Sequence, residues 1–134
     1  MRRLMTILLF VMALFFYIRS AQQENLAPKN GSAIMVASWY GKWHHGRLRA
    51  DGKRYDMYDP TVVAHKTLPL GTKLELENLE NGKKIVVTVR DRGPYLPGRH
   101  LDLSYAAAKK LGMIRDGIVP VMATVLSLPE TRGS

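Results

Sequence analysis

The chain contains no cysteine. That excludes disulfide staples and thiolate metal sites, and it excludes lipid attachment through an N-terminal cysteine. Acidic residues are scarce beside basic ones: 11 Asp and Glu stand against 20 Lys and Arg, a formal charge of +9. Arg2, Arg3 and Arg19 flank the N-terminal apolar run, and +6 remains without them. Such an imbalance points to an anionic partner: an acidic polysaccharide, a membrane surface or a nucleic acid. Aromatic residues make up only 8 % and do not interleave with the basic ones in any repeated way, which argues against nucleic acid. There is no internal repeat and no low-complexity tract. At 134 residues and 46 % hydrophobic, the chain can fold around one core.

The N-terminus reads as an address. A short basic start precedes residues 4–18, a charge-free apolar run. The run is shorter than the about 20 residues a spanning helix needs and suits the core of a signal peptide. Ser20 before Ala21 offers a small residue for cleavage, with Arg19 unfavourable beside it. The rival is an uncleaved anchor that attaches the chain to a membrane through residues 4–18. Residues 1–21 are therefore expected to be a signal peptide or N-terminal anchor. Residues 22–32, polar with Pro28, Asn30 and Gly31, are expected to be a linker. The folded domain is expected over 33–128 and a tail over 129–134. Either fate of the leader predicts an exported protein, in the periplasm or cell envelope, and a monomer.

Short strand-like runs divided by turn signals follow. Residues 34–40 are β-prone, 41–60 form a long polar loop, and 61–64 are short and β-branched. Residues 72–78 alternate, with Leu74 and Leu76 opposite Lys73, Glu75 and Glu77. Asn81-Gly82 is then the strongest hairpin signal. Ile85, Val87 and Val89 make the inward row of the next strand. Ser104 can cap a short helix over 105–111 that Gly112 ends, with Lys109 and Lys110 in its last turn. Residues 118–126 close with another strand. Five or six short strands and one brief helix predict a mainly β fold, a small barrel without exposed edges.

The most informative stretch is V-R-D-R-G-P-Y-L-P-G-R-H-L-D-L-S, residues 89–104. By strict alternation, which a bulge at the strand end would break, Asp91 continues the 85-87-89 row, which aims its carboxyl at the rim of the apolar interior. Desolvation there raises a carboxyl's pKa, as a general acid requires. The competing reading is a turn aspartate, salt-bridged if Arg92 folds back onto it. Asp102 is expected to serve the first turn of the helix.

Six motifs then occur in order: S-W-Y-G (38–41), G-K-R-Y-D (52–56), A-H-K-T-L-P-L-G-T (64–72), D-R-G-P (91–94), G-R-H-L-D-L-S (98–104) and A-A-x-x-L-G (107–112). Together they resemble the rare lipoprotein A family of septal lytic transglycosylases. The resemblance implies a six-stranded double-psi β-barrel with one short helix, the fold also of expansins. It implies an exported enzyme acting on peptidoglycan glycan strands, particularly strands stripped of stem peptides. The reaction cleaves the β-1,4 bond between N-acetylmuramic acid and N-acetylglucosamine and leaves a 1,6-anhydro end. No metal or cofactor is implied. One carboxyl can act as acid and then as base, so paired carboxylates are not demanded. By motif position Asp91 is the expected acid, with Asp56 and His65 completing the catalytic set. Tyr40, Lys53, Tyr55 and Arg92 are the expected substrate-binding residues.

The chain departs from the pattern where the family usually carries Thr-Ala-Asn or Ser-Gly-Glu. Here Arg49-Ala50-Asp51-Gly52-Lys53 stands, a lysine in place of an acidic groove residue. That departure keeps open a second reading, a non-catalytic, expansin-like glycan-binding module. Of the remaining residues, His44 and His45 read as loop histidines. His65 reads equally as groove-lining or as a structural hydrogen-bonding group. Trp39 and Tyr40 point opposite ways on a strand, so at most one is expected to face a groove.

Overall fold

Six strands close into a barrel in the order β1-β5-β2-β4-β3-β6, so no strand edge is left open. In chain order they are β1 (Ser32–Tyr40), β2 (Val62–His65), β3 (Lys73–Asn78), β4 (Lys84–Asp91), β5 (Leu101–Ser104) and β6 (Val119–Ser127). The pairs β1/β5 and β2/β4 are parallel, and the other four are antiparallel. The fold is a double-psi β-barrel, as expected. The computed structural model describes residues 2–23 and 31–130. Part of the expected linker, 24–30, and most of the expected tail, 131–134, lie outside the described residues.

A helix α1 (Arg2–Gln23) carries the N-terminal apolar run, and its side chains over 5–15 are exposed. No helix among the described residues is long and apolar enough to cross a membrane.

The barrel interior follows the period-2 patterns. Met35 and Ala37, Leu74 and Leu76, Val87 and Val89, Leu101 and Leu103, and Val119, Val121 and Ala123 are all fully buried in one cluster. The hairpin signal is realised. β3 and β4 pair antiparallel, and Gly82 takes φ 75° just after Asn81.

A second helix, α2 (Tyr105–Lys110), plugs one side of the barrel through Ala107 and Ala108, whose small side chains permit close approach. Ser104 caps it as expected, its Oγ accepting from the N–H of Ala107 at 3.1 Å. The far end is tied down by Asn78 and Asn81, whose amides donate to the carbonyl of Leu111 at 3.0 and 3.1 Å. Gly112, at φ 68°, then reverses the chain. No side chain fits there: a Cβ would lie 2.7 Å from the Asn81 amide nitrogen.

β5 is the element the sequence pattern did not announce. Leu-Asp-Leu-Ser was read only as the approach to a helix; in the fold it lies between β1 and β2. That insertion builds the site.

Candidate active site

β2 is buried on both faces, at all four residues. Val63 fills the barrel interior, while Val62 and Ala64 face the opposite way, into a small cluster with Tyr40 and Tyr55. The long loop 41–60 folds over this outer face. It contains one 3-10 turn at Lys42–His44 and a bridge between Leu48 and Arg54.

A bulge decides where Asp91 points. Val63 is in register with Val89, but the next residue, Ala64, is in register with Asp91. Arg90 is the extra residue, and it resets the alternation. The expectation that Asp91 continues the interior row is therefore corrected: the bulge turns its carboxyl to the outer face, beside Ala64. Asp102 meets the same residue from the other side, since β5 pairs with β2 through Ala64 and Asp102. Ser38 follows in register on β1. Asp91, Ala64, Asp102 and Ser38 thus form one row across four neighbouring strands.

Asp91, Ala64 and Asp102 of this row floor an open cleft of about 510 Å³. Its walls come from the end of β1 and the 3-10 turn, including Tyr40 and Trp43, and from the β4–β5 loop, including Tyr95 and Arg99. Trp43 and Tyr95 expose 84 % and 78 % of their surface, so two large aromatic faces stand free at the rim.

Asp91 is held by its neighbours. Its Oδ1 accepts from the N–H groups of Ala50 and Arg92, both at 2.9 Å, and its Oδ2 from the hydroxyl of Tyr40 at 3.5 Å. The Ala50 contact clasps the loop over the cleft. That loop is stiffened by a bidentate pair in which Arg49 donates to Asp51 at 3.0 and 2.7 Å. Burial opposes the charged form of Asp51, but the Arg49 guanidinium and the Lys53 N–H outweigh it and hold the pKa down.

Asp102 is in a different environment. Burial pushes its pKa up to about 6, the charge of Asp91 adds to that, and Ser38 and Arg99 oppose it. Ser38 Oγ donates to Asp102 Oδ1 at 3.3 Å. Asp102 does not serve the helix, because Ser104 does. Burial thus favours the protonated form of Asp102, a residue that the sequence reading had given to the first turn of the helix.

The other expected residues divide. Tyr40 and Arg92 line the cleft with Asp91. Tyr40 is stacked on Tyr55 at 4.2 Å between ring centroids, and burial, then Asp91, drives its pKa upward, so it stays a donor. Arg92 does not fold back onto Asp91. It donates to the carbonyls of His65 and Leu68 at 3.2 and 2.6 Å. Tyr55 lies beneath the cleft, donating to the carbonyl of Tyr40, with its pKa raised by burial to about 12.

Three of the expected residues lie outside the cleft lining. His65 is buried outside the cleft lining, and its Nδ1 accepts from the N–H groups of Thr67 and Leu68 at 3.1 and 3.0 Å. Burial, with His100, Arg92 and Lys66, lowers its pKa to about 4, so it is a neutral turn-holder. Its turn in turn supplies the carbonyls that seat Arg92. Asp56 is exposed and closes a local turn by accepting from the N–H of Tyr58 at 2.9 Å. Lys53 is exposed and outside the cleft lining, because its turn is pinned to Asp51 through the backbone and the side chain is left in solvent. The lysine therefore does not put a positive charge into the cleft wall.

Trp39 and Tyr40 both contribute to the lining, against the expectation from alternation. Gly41 explains this. The Trp39 ring folds over it so closely that a Cβ there would lie 2.9 Å from Trp39 Cζ3. No group of three or more His, Asp or Glu that could hold a metal occurs among the described residues.

A family model described as lytic transglycolase matches residues 32–123. The chain belongs to the lytic transglycolase family. Over 90 residues it is 61 % identical to a probable endolytic peptidoglycan transglycosylase RlpA of Aquifex aeolicus, covering 67 % of this chain and 39 % of that protein. Over 103 residues it is 48 % identical to the endolytic peptidoglycan transglycosylase RlpA of Vibrio cholerae, covering 77 % and 39 %. The chain thus spans about two fifths of the length of these relatives. Among solved structures, the Streptomyces papain inhibitor is similar with a TM-score of 0.60 at 26 % identity, over 75 % of this chain and 98 % of that one.

Proposed function

We propose that the barrel is a lytic transglycosylase that cuts peptidoglycan glycan strands between N-acetylmuramic acid and N-acetylglucosamine. The observation that carries this reading is the pair of carboxyls, Asp91 and Asp102, on either side of Ala64 at the floor of one open cleft. The names of the RlpA relatives give the substrate class.

Asp102, whose protonated form burial favours, donates to the bridging oxygen as the bond to the muramyl anomeric carbon breaks. The muramyl 6-hydroxyl closes on that carbon, and its proton passes to Asp91. Solvent exchange between the carboxyls restores the starting state, and no cofactor enters. Tyr40 and the amides of Ala50 and Arg92 hold Asp91 in place. Trp43 and Tyr95 offer apolar faces for sugar rings on the two sides. Such a substrate lies outside the cytoplasm, and residues 4–18 serve as the export signal or anchor that takes the barrel there.

The test is to incubate the chain with peptide-free strands and search for 1,6-anhydromuramyl ends by mass spectrometry. Their appearance supports the reading. Strands that bind without being cut would instead assign the chain as a glycan-binding module.

A further inference from the structure

A file of aromatic rings runs from the cleft onto the surface beside it. Trp39, in the cleft lining, lies 5.6 Å from Tyr105 between ring centroids. Tyr105 lies 6.4 Å from Tyr58, and Tyr58 lies 5.8 Å from His45. Tyr105, Tyr58 and His45 are outside the cleft lining, so the file prolongs the cleft beyond its β1 wall. Tyr58 exposes 66 % of its surface. Its two ring contacts are edge-on, at 88° and 70°, which steadies the ring without covering it.

The backbone beneath is fixed on both sides of Tyr58. Asp56 Oδ1 accepts from the Tyr58 N–H at 2.9 Å. Met57 donates its N–H to His45 Nδ1 at 3.1 Å, and its carbonyl accepts from the N–H of Ala106 at 2.9 Å. That last bond ties the loop carrying Tyr58 to the first turn of α2, which carries Tyr105. An exposed ring on a rigid mount buries little in the fold and loses little freedom when something stacks on it.

We propose that Tyr58 and Tyr105 form a carbohydrate-binding strip outside the cleft, which stacks on the apolar faces of sugar rings beyond those the cleft holds. The inference rests on the glycan-strand reading given above. Successive aromatic rings are spaced about as far apart as neighbouring sugars in a β-1,4 strand. A strand leaving the cleft past Trp39 therefore meets Tyr105 and then Tyr58. Stacking uses the face of a sugar and not its substituents, so the strip grips N-acetylglucosamine and N-acetylmuramic acid alike. It adds affinity with strand length and leaves the choice of bond to the cleft. Asp56, outside the cleft, is then a positioning residue for the strip, since it shapes the turn that presents Tyr58.

The experiment titrates two peptide-free glycans, a disaccharide held by the cleft alone and an octasaccharide that overruns it. Binding is followed by NMR on the Asp102→Asn chain, so that turnover does not consume the ligand. The octasaccharide is expected to bind more tightly, and to be the only one of the two that moves the amide signals of Tyr58 and Tyr105. Adding Tyr58→Ala is expected to weaken the octasaccharide about fivefold, the scale of one aromatic stack, and to leave the disaccharide unchanged. Tyr58→Phe keeps the ring face and is expected to match the chain with Tyr58. Octasaccharide affinity unmoved by Tyr58→Ala would overturn the proposal. So would an equal loss for both lengths, or a loss in Tyr58→Phe as large as in Tyr58→Ala. The titration does not depend on cleavage: a working strip on a chain that never forms anhydro ends would sink the enzymatic reading and leave this one standing.

Discussion

Asp91 on β4 and Asp102 on β5 lie in register with the same residue, Ala64, on the strand between them. Two strand spacings put their backbones about 10 Å apart, with both side chains on the outer face. The two acids share a cleft but not an environment. Asp91 receives two amide N–H groups and a tyrosine hydroxyl, whereas Asp102 receives one serine hydroxyl and is pushed up by burial. That asymmetry separates an acceptor from a donor.

Asp102 couples the stability of the fold to pH. Its folded pKa, about 6, lies above its ordinary value of 3.8. The folded state therefore binds its proton more tightly, and stability falls as pH rises from about 4 to about 6. Asp102→Asn is expected to remove that slope and to raise the urea midpoint at pH 7. Cleavage is expected to decline in the parent as pH climbs through about 6, and to drop at least about 100-fold in the variant. A variant that cuts as well as the parent would remove Asp102 from the mechanism.

His65 should titrate in the opposite sense. Its pKa is lowered from 6.5 to about 4, so its neutral form contributes stability that is lost as pH falls from about 6.5 to about 4. NMR of the ring is expected to show a neutral imidazole at pH 5.5, with the Nδ1 lone pair engaged. An imidazolium at that pH would refute the turn-holding role.

Ala64 is small because two carboxyls must be reached across it. Ala64→Leu is expected to fill the cleft floor and abolish strand binding. The overpacking against Tyr40 and Val62 should destabilise the fold by about 1–3 kcal/mol. Calorimetric binding with a thermal melt checks both. Unimpaired binding in a folded variant would show that substrate does not use this row.

Gly41→Ala brings a methyl to 2.9 Å from the Trp39 ring. The ring must move, and its fluorescence maximum is expected to shift to the red as it leaves its packing against Tyr105, 5.6 Å away between centroids. An unchanged spectrum would mean that the backbone yields instead.

Much of this fold is legible locally. The β3–β4 hairpin follows from alternation and Asn81-Gly82, and α2 from Ser104 and Gly112, because each signal involves residues close in sequence. β5 escaped because four residues, two of them polar, carry little period, and its strand character comes from partners at 37–40 and 63–65. The direction of Asp91 escaped for the same reason: the bulge is a relation between β4 and β2, invisible in either strand alone. Of the residues named by motif position, Asp91, Tyr40 and Arg92 line the cleft, while His65, Asp56 and Lys53 lie outside its lining in turns organised around backbone groups. Asp102 was visible as a residue but not as an acid, since its desolvation depends on strands that meet only in the barrel.

The central claim is that a carboxyl pair across Ala64 drives intramolecular closure rather than hydrolysis. Digesting peptide-free strands in water enriched in heavy oxygen tests this most directly. The account predicts new 1,6-anhydromuramyl ends that carry no heavy oxygen, formed by the parent chain and lost in both Asp91→Asn and Asp102→Asn. Labelled reducing ends, or unlabelled anhydro ends that persist in both variants, would contradict it.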